Sequence, residues 1–484
     1  MSYQELIYET KKRRADGSDV HERILRDETK YPGSKGRKEH VVPPVFQGRR
    51  RTYVSVEQKF IIAFITATCW AGASVYLAQP WLGELAARVG YTAATVIIFG
   101  IAIIPGFMNA FLVTGLVLDR RPKDLPLAQY PGISILIAAY NEDATILETI
   151  DSIALQGYPG QFEVIVIDDG SVDNTAALVS AELAVRPWLR LVTVEKNSGK
   201  ARALNQGLAQ AHYSIIVTVD ADSCLYAGAL QNLVGRYLND PPNTRVVAGT
   251  VLVRNSRASW IAKAQEWDYF HGISAIKRVQ SLFQGTMVAQ GAFSLYDRIA
   301  LVRAGGWPDC VGEDIVLTWA FLKAGYRVGH SEDAYLFTNV PTTLKQFSRQ
   351  RQRWSRGMIE AFKHHPDILV TPRLSTVFVY WNLLFPPLDL IFTISFIPGL
   401  ILALFGHFWI VGPMTLALIP AGLAINILMF RVGKRTFGEN GLGVRTNIKG
   451  FLIYVLGYNL IMQPVCVAGY FKELINMKKS WGTK

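Results

Sequence analysis

Three things are scarce or missing in this 484-residue chain. It has four cysteines, Cys69, Cys224, Cys310 and Cys466, far apart and never in a C-x-x-C spacing. That argues against a disulfide framework or a thiolate zinc site, and it fits reduced surroundings for any soluble part. Charge is thin as well: 18% of residues are charged while 50% are hydrophobic, an unusual balance for a soluble domain. Neither a G-x-G-x-x-G nor a G-x-x-x-x-G-K-[ST] loop occurs, so neither a dinucleotide-binding enzyme nor a P-loop ATPase is supported.

What charge there is sits in blocks. Basic residues cluster in 1–52, with Lys11 to Arg14 and Arg49 to Arg51. Basic, Pro- and Gly-interspersed and poor in apolar residues, this stretch reads as a flexible cytoplasmic tail beside anionic lipid, too hydrophilic for a signal peptide. Apolar runs at 60–80, 92–118, 374–404, 408–430 and 449–472 are long enough to cross a hydrocarbon core of about 30 Å. The expected organisation is a tail (1–55), two membrane helices (56–120), a large domain (125–342), an amphipathic interface helix (343–370), C-terminal membrane helices (374–476) and a short tail (477–484). Basic residues at Arg120-Arg121 and along 431–449 place the large domain in the cytoplasm of a multi-pass inner (plasma) membrane protein. The last run is in conflict, because Lys449 precedes it and Lys472, Lys478 and Lys479 close or follow it. Pro464 or Pro386-Pro387 could change the count, so five and six segments both satisfy the sequence.

The large domain alternates two periodicities. ISILIAAY (133–140), FEVIVID (162–168), LRLVTVE (189–195) and YSIIVTVD (213–220) are Ile- and Val-rich runs separated by helically spaced segments at 144–155, 174–185 and 201–211. This predicts an α/β domain with a parallel sheet of βαβ units. Ligands of such sheets bind beyond the carboxyl ends of the strands. Three ends carry chemistry there: Tyr140-Asn141-Glu142, Asp168-Asp169-Gly170-Ser171 and Asp220-Ala221-Asp222. Two carboxylates at i and i+2 suit a hard divalent cation, Mg²⁺ or Mn²⁺, which would neutralise a diphosphate. A single Asp after a strand more often caps a turn, but three acidic ends in register argue for a site. Lys200 and Arg202, opening the next helix, suit phosphate or balance those aspartates, with a solvated charge pair as the alternative.

Residues 348–358, SRQRQRWSRGM, set four arginines around Trp354. The indole offers a face for a pyranose, and Arg353 can take phosphate oxygens in bidentate geometry. The surrounding segment 343–365 reads as an amphipathic helix at the membrane surface, its remaining arginines toward lipid headgroups. No stacking module or groove-reading motif accompanies it, so no nucleic-acid partner is expected.

The ordered set AAYNE, VIDDGS, GKARALN, VDADS, GEDIVL and QRQRW spans about residues 131 to 360. It resembles the membrane-embedded processive branch of the family 2 glycosyltransferases and is most similar to poly-N-acetylglucosamine, hyaluronan and chitin-type synthases. The resemblance implies a GT-A fold, a Rossmann-like mixed sheet, flanked by transmembrane helices. It implies a UDP-sugar donor, a growing polysaccharide acceptor, Mg²⁺ or Mn²⁺, contact with membrane lipids, and export or regulatory subunits as partners. Tyr140, Glu142, Asp168, Asp169 and Lys200 would surround the nucleotide, and Asp220 and Asp222 the metal. Asp314 would be the general base, with Glu313 as the alternative carboxylate. Gln350, Arg353 and Trp354 would meet acceptor and diphosphate, with Gly291 and Ala292 in the acceptor pocket wall. Trp481 and Lys484 of the terminal KSWGTK would gate the nucleotide, which requires a cytoplasmic C-terminus and an even segment count. The expected function is an inverting polymerase taking UDP-N-acetylglucosamine and exporting a β-linked polysaccharide. A hyaluronan or β-glucan synthase, a non-processive glycolipid transferase and a non-enzymatic membrane subunit are the alternatives.

Overall fold

The computed structural model describes residues 54–120, 127, 129–412, 422–428, 430–431, 438 and 447–477. The basic tail and the expected gating residues Trp481 and Lys484 lie outside them. The described chain runs through α1 (Val56–Leu77), α2 (Gln79–Val89), α3 (Tyr91–Leu118), β1 (Ile133–Ala139), α4 (Ile146–Ala154), β2 (Phe162–Asp168), α5 (Thr175–Glu182), β3 (Leu189–Thr193) and α6 (Lys200–Gln210). It continues with β4 (Ile215–Val219), β5 (Ser223–Leu225), α7 (Ala229–Asn239), β6 (Thr244–Val253), α8 (260–282), β7 (Phe293–Asp297), α9 (Arg298–Arg303), α10 (Glu313–Lys323), β8 (Arg327–Thr338), α11 (Leu344–His364), α12 (Thr376–Leu404) and α13 (Ile448–Leu474).

The eight strands form one mixed sheet in the order β3-β2-β1-β4-β7-β6-β8-β5. β3, β2, β1 and β4 are parallel, as the alternation of strand and helix predicts. Beyond β4 the sheet changes character: β7 runs antiparallel to both β4 and β6, β8 is parallel to β6, and β5 closes the edge antiparallel to β8. The central strands are apolar throughout because both faces are covered. Ile135, Ile137, Val164 and Val166 feed one core with Ile150 and Leu233, while Leu136, Ile165 and Ile167 feed the other with Leu204 and Leu208. This is the period-two division of a strand between two layers.

The second core does not stop at the domain. It continues through Phe283, Phe378 and Trp381 to Met108, Phe111 and Leu112 of α3. Phe111 makes edge contacts with Phe60, Phe378 and Trp381 at ring-centroid distances of 5.5, 6.0 and 5.6 Å. At the domain end of α3, buried Asp119 accepts from Arg278 at 2.5 Å, and Arg278 also reaches Glu332 at 2.8 Å. At the far end, Trp81 donates to the carbonyl of Trp409 at 3.1 Å, and Leu85, Ile98, Ile410 and Val411 pack together.

Helices α8, α11 and α13 pack on one another through Ile261, Ala264, Phe347 and Tyr458. For two of the three spare arginines of α11 the expectation that they face headgroups is corrected here; the third, Arg349, is exposed. Arg351 is buried and paired with Asp268 of α8 at 2.7 Å; Arg356 is buried and paired with Glu473 of α13 at 3.1 Å. Charges that find buried partners have no need of the aqueous surface. Gly357 of α11 packs so closely on Gly312 that a Cβ on it would lie 2.7 Å from the Gly312 Cα. That contact sets the Trp354 helix directly against the Glu313-Asp314 turn.

Four described helices are long and apolar enough to cross a membrane: α1, α3, α12 and α13. Pro386, Pro387 and Pro464 lie inside helices that continue through them, so none of them makes a re-entrant break. Yet α13 is tied to the domain at both ends. Asn447, just before it, donates to the Lys263 carbonyl at 2.9 Å and accepts from Trp267 at 2.9 Å. Glu473, at its other end, accepts from Arg356 and from Lys363 (3.0 Å) of α11.

Candidate active site

The turns after β1 and β2 are stitched to each other. Asn141 takes a left-handed conformation (φ 56°), donates its N–H to Ser171 Oγ at 3.0 Å and accepts from the Val172 N–H at 2.9 Å. An amide side chain that tolerates positive φ and bonds locally suits this position. The Glu142 N–H is held by Thr175 Oγ1 at 2.8 Å. Tyr140 is exposed, and Asp168 is buried at the strand end. Asp169 is buried with both oxygens occupied: it accepts from the Ser198 N–H (2.8 Å), Ser198 Oγ (2.7 Å) and the Gly199 N–H (2.7 Å). Its part in this structure is to hold the turn from which α6 begins at Lys200.

Lys200 points back at the end of β4, where its amine pairs with Asp220. Burial works against its charge, but Asp220, Glu313 and Asp314 around it hold the amine above the usual lysine value. Asp222 is in the opposite position. Burial first, then Asp220 and Glu142, push it up to about 6. Thus Glu142, Asp220 and Asp222, from two strand ends, share one negative field. Glu313 is pushed up to about 8 by burial and by the adjacent Asp314, against the pull of Lys200 and Arg353. Asp314 faces β7, with the Gly291 N–H 3.5 Å from its Oδ2. Gly291 sits where a Cβ would meet Lys200 Nζ at 3.1 Å and Glu313 Oε1 at 3.6 Å.

The acidic pair suits a hard cation. Among the described residues no group of three or more His, Cys, Asp or Glu side chains could cage a metal. A cation on Asp220 and Asp222 would therefore complete its shell with diphosphate and water oxygens, as Mg²⁺ commonly does. The mutual repulsion that raises Asp222 is what such a charge would relieve.

A cavity of about 960 Å³ opens from these carboxylates. Lys200, Asp220, Asp222, Gly291, Ala292, Asp314, Gln350, Arg353 and Trp354 all line it, so the structure gathers these expected residues. Tyr140, Glu142, Asp168 and Asp169 are not in its wall and sit at the neighbouring strand ends. The guanidinium of Arg351 lies 4.1 Å from the Trp354 ring centroid, and Tyr269 flanks the same indole at 6.1 Å. Gln350 is 8% exposed, and its Oε1 finds no hydrogen-bond partner among the described residues.

The cavity wall also takes in residues of two membrane-length helices: Met108, Asn109 and Leu112 of α3, and Trp381, Asn382 and Phe385 of α12. Sequence reasoning passed over these residues and Lys277 of α8, which lies in the wall as well. A signal existed for the two asparagines, since a polar side chain inside an apolar run tends to face a cavity. Lys277 carried no motif. Burial pushes its amine down to about 7, only partly offset by Asp314.

Residues 134–303 match the family model described as Glycosyl transferase family 2. The chain is 33% identical over 265 residues to a poly-beta-1,6-N-acetyl-D-glucosamine synthase of Staphylococcus aureus (strain COL), covering 52% of this chain and 63% of that protein. A protein of the same description from Staphylococcus epidermidis is 33% identical over 264 residues with the same coverage. The match thus spans less than two thirds of the length of these relatives. Among solved structures, a mannosyltransferase from Pyrobaculum calidifontis in complex with GDP-Man and Mn²⁺ shares the fold. It aligns at TM-score 0.54 and 21% identity, over 80% of this chain and 99% of that one.

The raised carboxyls set a pH dependence. Glu313 and Asp222 keep protons in the folded chain at pH values where the unfolded chain has released them. The folded state then binds more protons, so stability falls as pH rises from about 5 to 8. Melting temperatures without nucleotide or divalent cation should decline over that range, and Glu313→Gln should flatten the decline. An unchanged slope in the variant would contradict the charge assignment.

Proposed function

We propose, from the match of residues 134–303 to the Glycosyl transferase family 2 model, a processive, inverting polymerase of the inner (plasma) membrane. It transfers sugar from a UDP-sugar, UDP-N-acetylglucosamine by preference, to the end of a β-linked polysaccharide and passes the product outward between its own helices. The observation carrying this reading is the single cavity running from Asp220 and Asp222, past Asp314 and Trp354, to the membrane helices α3 and α12. The names of the staphylococcal relatives support the choice of sugar.

The roles follow from position. Tyr140, Glu142 and Asp168 take the nucleoside beyond β1 and β2, and Arg353 and Lys200 face the diphosphate. The acceptor hydroxyl loses its proton to Asp314 as its oxygen bonds to the anomeric carbon. The bond from that carbon to the diphosphate breaks, and the electron pair leaves with UDP. One displacement inverts the anomeric centre. Of the two adjacent carboxyls, Glu313 is held protonated near neutral pH, which leaves Asp314 as the better base. Asp220 and Asp222 would hold a Mg²⁺ or Mn²⁺, which would supply counter-charge to a leaving diphosphate. Trp354, backed by Arg351, gives the terminal sugar a surface to stack on.

The topology in this reading is even. α1 and α3 cross and return, α12 crosses outward, and the chain returns before Phe430. Ile410 packs with Trp81 and Ile98 at the far end, while the Phe430 ring lies tilted against Trp267 of α8, centroids 5.4 Å apart. Helix α13, tied to α8 and α11 at its two ends, then lies along the interface without crossing. That removes the conflict of basic residues at both its ends.

Two experiments follow. Membranes given labelled UDP-N-acetylglucosamine should yield a ladder of polymer, and Asp314→Asn should cut transfer by about 10²–10⁴-fold while UDP still binds. A single-sugar lipid product, or loss of UDP binding in that variant, would overturn the reading. Single cysteines at Lys449 and Asn476, in an otherwise cysteine-free chain, should both react with an impermeant thiol reagent from the cytoplasmic side only. Labelling on opposite sides would make α13 a crossing helix.

A further inference from the structure

Lys277 is a buried amine to which no carboxylate among the described residues is bonded. Its Nζ donates to the carbonyl of Val288 at 2.6 Å and to Gln290 Oε1. The Gln290 amide is itself oriented, because its Nε2 donates to the Gly249 carbonyl at 3.0 Å. Its oxygen is thereby turned to the lysine. Both bonds are to neutral oxygens and use two of the three directions a lysine amine offers. The side chain lines the same cavity as Asp314 and Trp354. One N–H direction of this buried amine is therefore left for a further acceptor.

Across the same cavity, Gln350 Oε1 is an acceptor without a partner among the described residues. The remaining charged groups in the wall, Lys200, Arg353 and the four carboxyls, belong to the donor and reacting centre. Beyond them the polar lining is mostly carboxamide, including Gln280, Gln346, Asn109 and Asn382, with the hydroxyls of Thr338, Thr342 and Tyr269, set among apolar side chains. Such a wall suits an uncharged sugar rich in hydroxyl and amide groups.

We propose that Lys277 is a specificity-determining residue of the acceptor subsite, its amine donating to an oxygen of the terminal sugar of the growing chain. Gln350 Oε1 takes a hydroxyl or amide N–H of the bound saccharide. Lys277 thus acts on the acceptor and not on the nucleotide, and it fixes which hydroxyl is offered to Asp314. The inference rests on the glycosyl transfer proposed above.

The test is a kinetic split in the full-length protein reconstituted in lipid nanodiscs. With a short N-acetylglucosamine oligosaccharide as acceptor, Lys277→Met should raise the acceptor KM by about tenfold to a hundredfold, the loss expected for a charge-assisted hydrogen bond. The donor KM should stay within about twofold, and Lys277→Arg should recover part of the acceptor loss. An unchanged acceptor KM, or donor and acceptor KM rising together, would overturn the proposal. A second measurement needs no variant. In the native protein, the same oligosaccharide should slow acylation of Lys277 by a small amine-reactive reagent, read by mass spectrometry, while UDP alone should not. Equal rates with and without oligosaccharide would also overturn it. If the native protein transfers no sugar from any nucleotide donor, the broader reading fails, and the acylation result still stands apart from it.

Discussion

The buried ion pair between Arg351 and Asp268 is the constraint around which the rest is arranged. Asp268 also accepts from the Tyr458 hydroxyl at 3.0 Å, so one carboxylate joins α8, α11 and α13. The guanidinium that it holds lies against Trp354. Burying such a pair is weak as a source of stability, but it fixes orientation, since either partner alone would be an uncompensated charge in a dry site. With Arg351 fixed, the exposed part of the indole has one direction to face, and that direction is the cavity. The close approach of Gly312 and Gly357 then brings Asp314 to the same wall.

The second organising effect is crowding of like charge. Glu142, Asp220 and Asp222 face one another across two strand ends, and Glu313 and Asp314 are neighbours at the start of α10. Lys200 answers only part of this, from the helix that Asp169 positions. A field of this kind is unfavourable in the empty site and favourable once a cation and a charged leaving group enter it. The cost in stability and the capacity for chemistry come from the same carboxyls.

Much of this was legible in the sequence. Short Ile- and Val-rich runs announced β1 to β4, and the acidic residues that end them fall together because parallel strands end on one edge. The second half of the sheet was not legible from local pattern. β5 has three residues, and β8 carries Glu332 and Asp333 in its middle. The antiparallel insertion of β7 between β4 and β6 is a tertiary choice. Arg351 and Arg356 misled for a related reason. On a helical wheel they mark a wet face, but their partners lie 83 and 117 residues away in the chain. Helix α13 has the length and hydropathy of a span, and only its end contacts reveal where it is tied.

The central proposal is that sugar is transferred in a cavity that opens among the membrane-length helices, so that product made on one side leaves by the other. Proteoliposomes with the soluble domain facing outward, supplied with labelled UDP-N-acetylglucosamine and a divalent cation, test it directly. The account predicts polymer that survives an externally added glycoside hydrolase and becomes sensitive only after detergent. Polymer fully degraded before detergent would contradict it, because the product would then have stayed on the side where it was made.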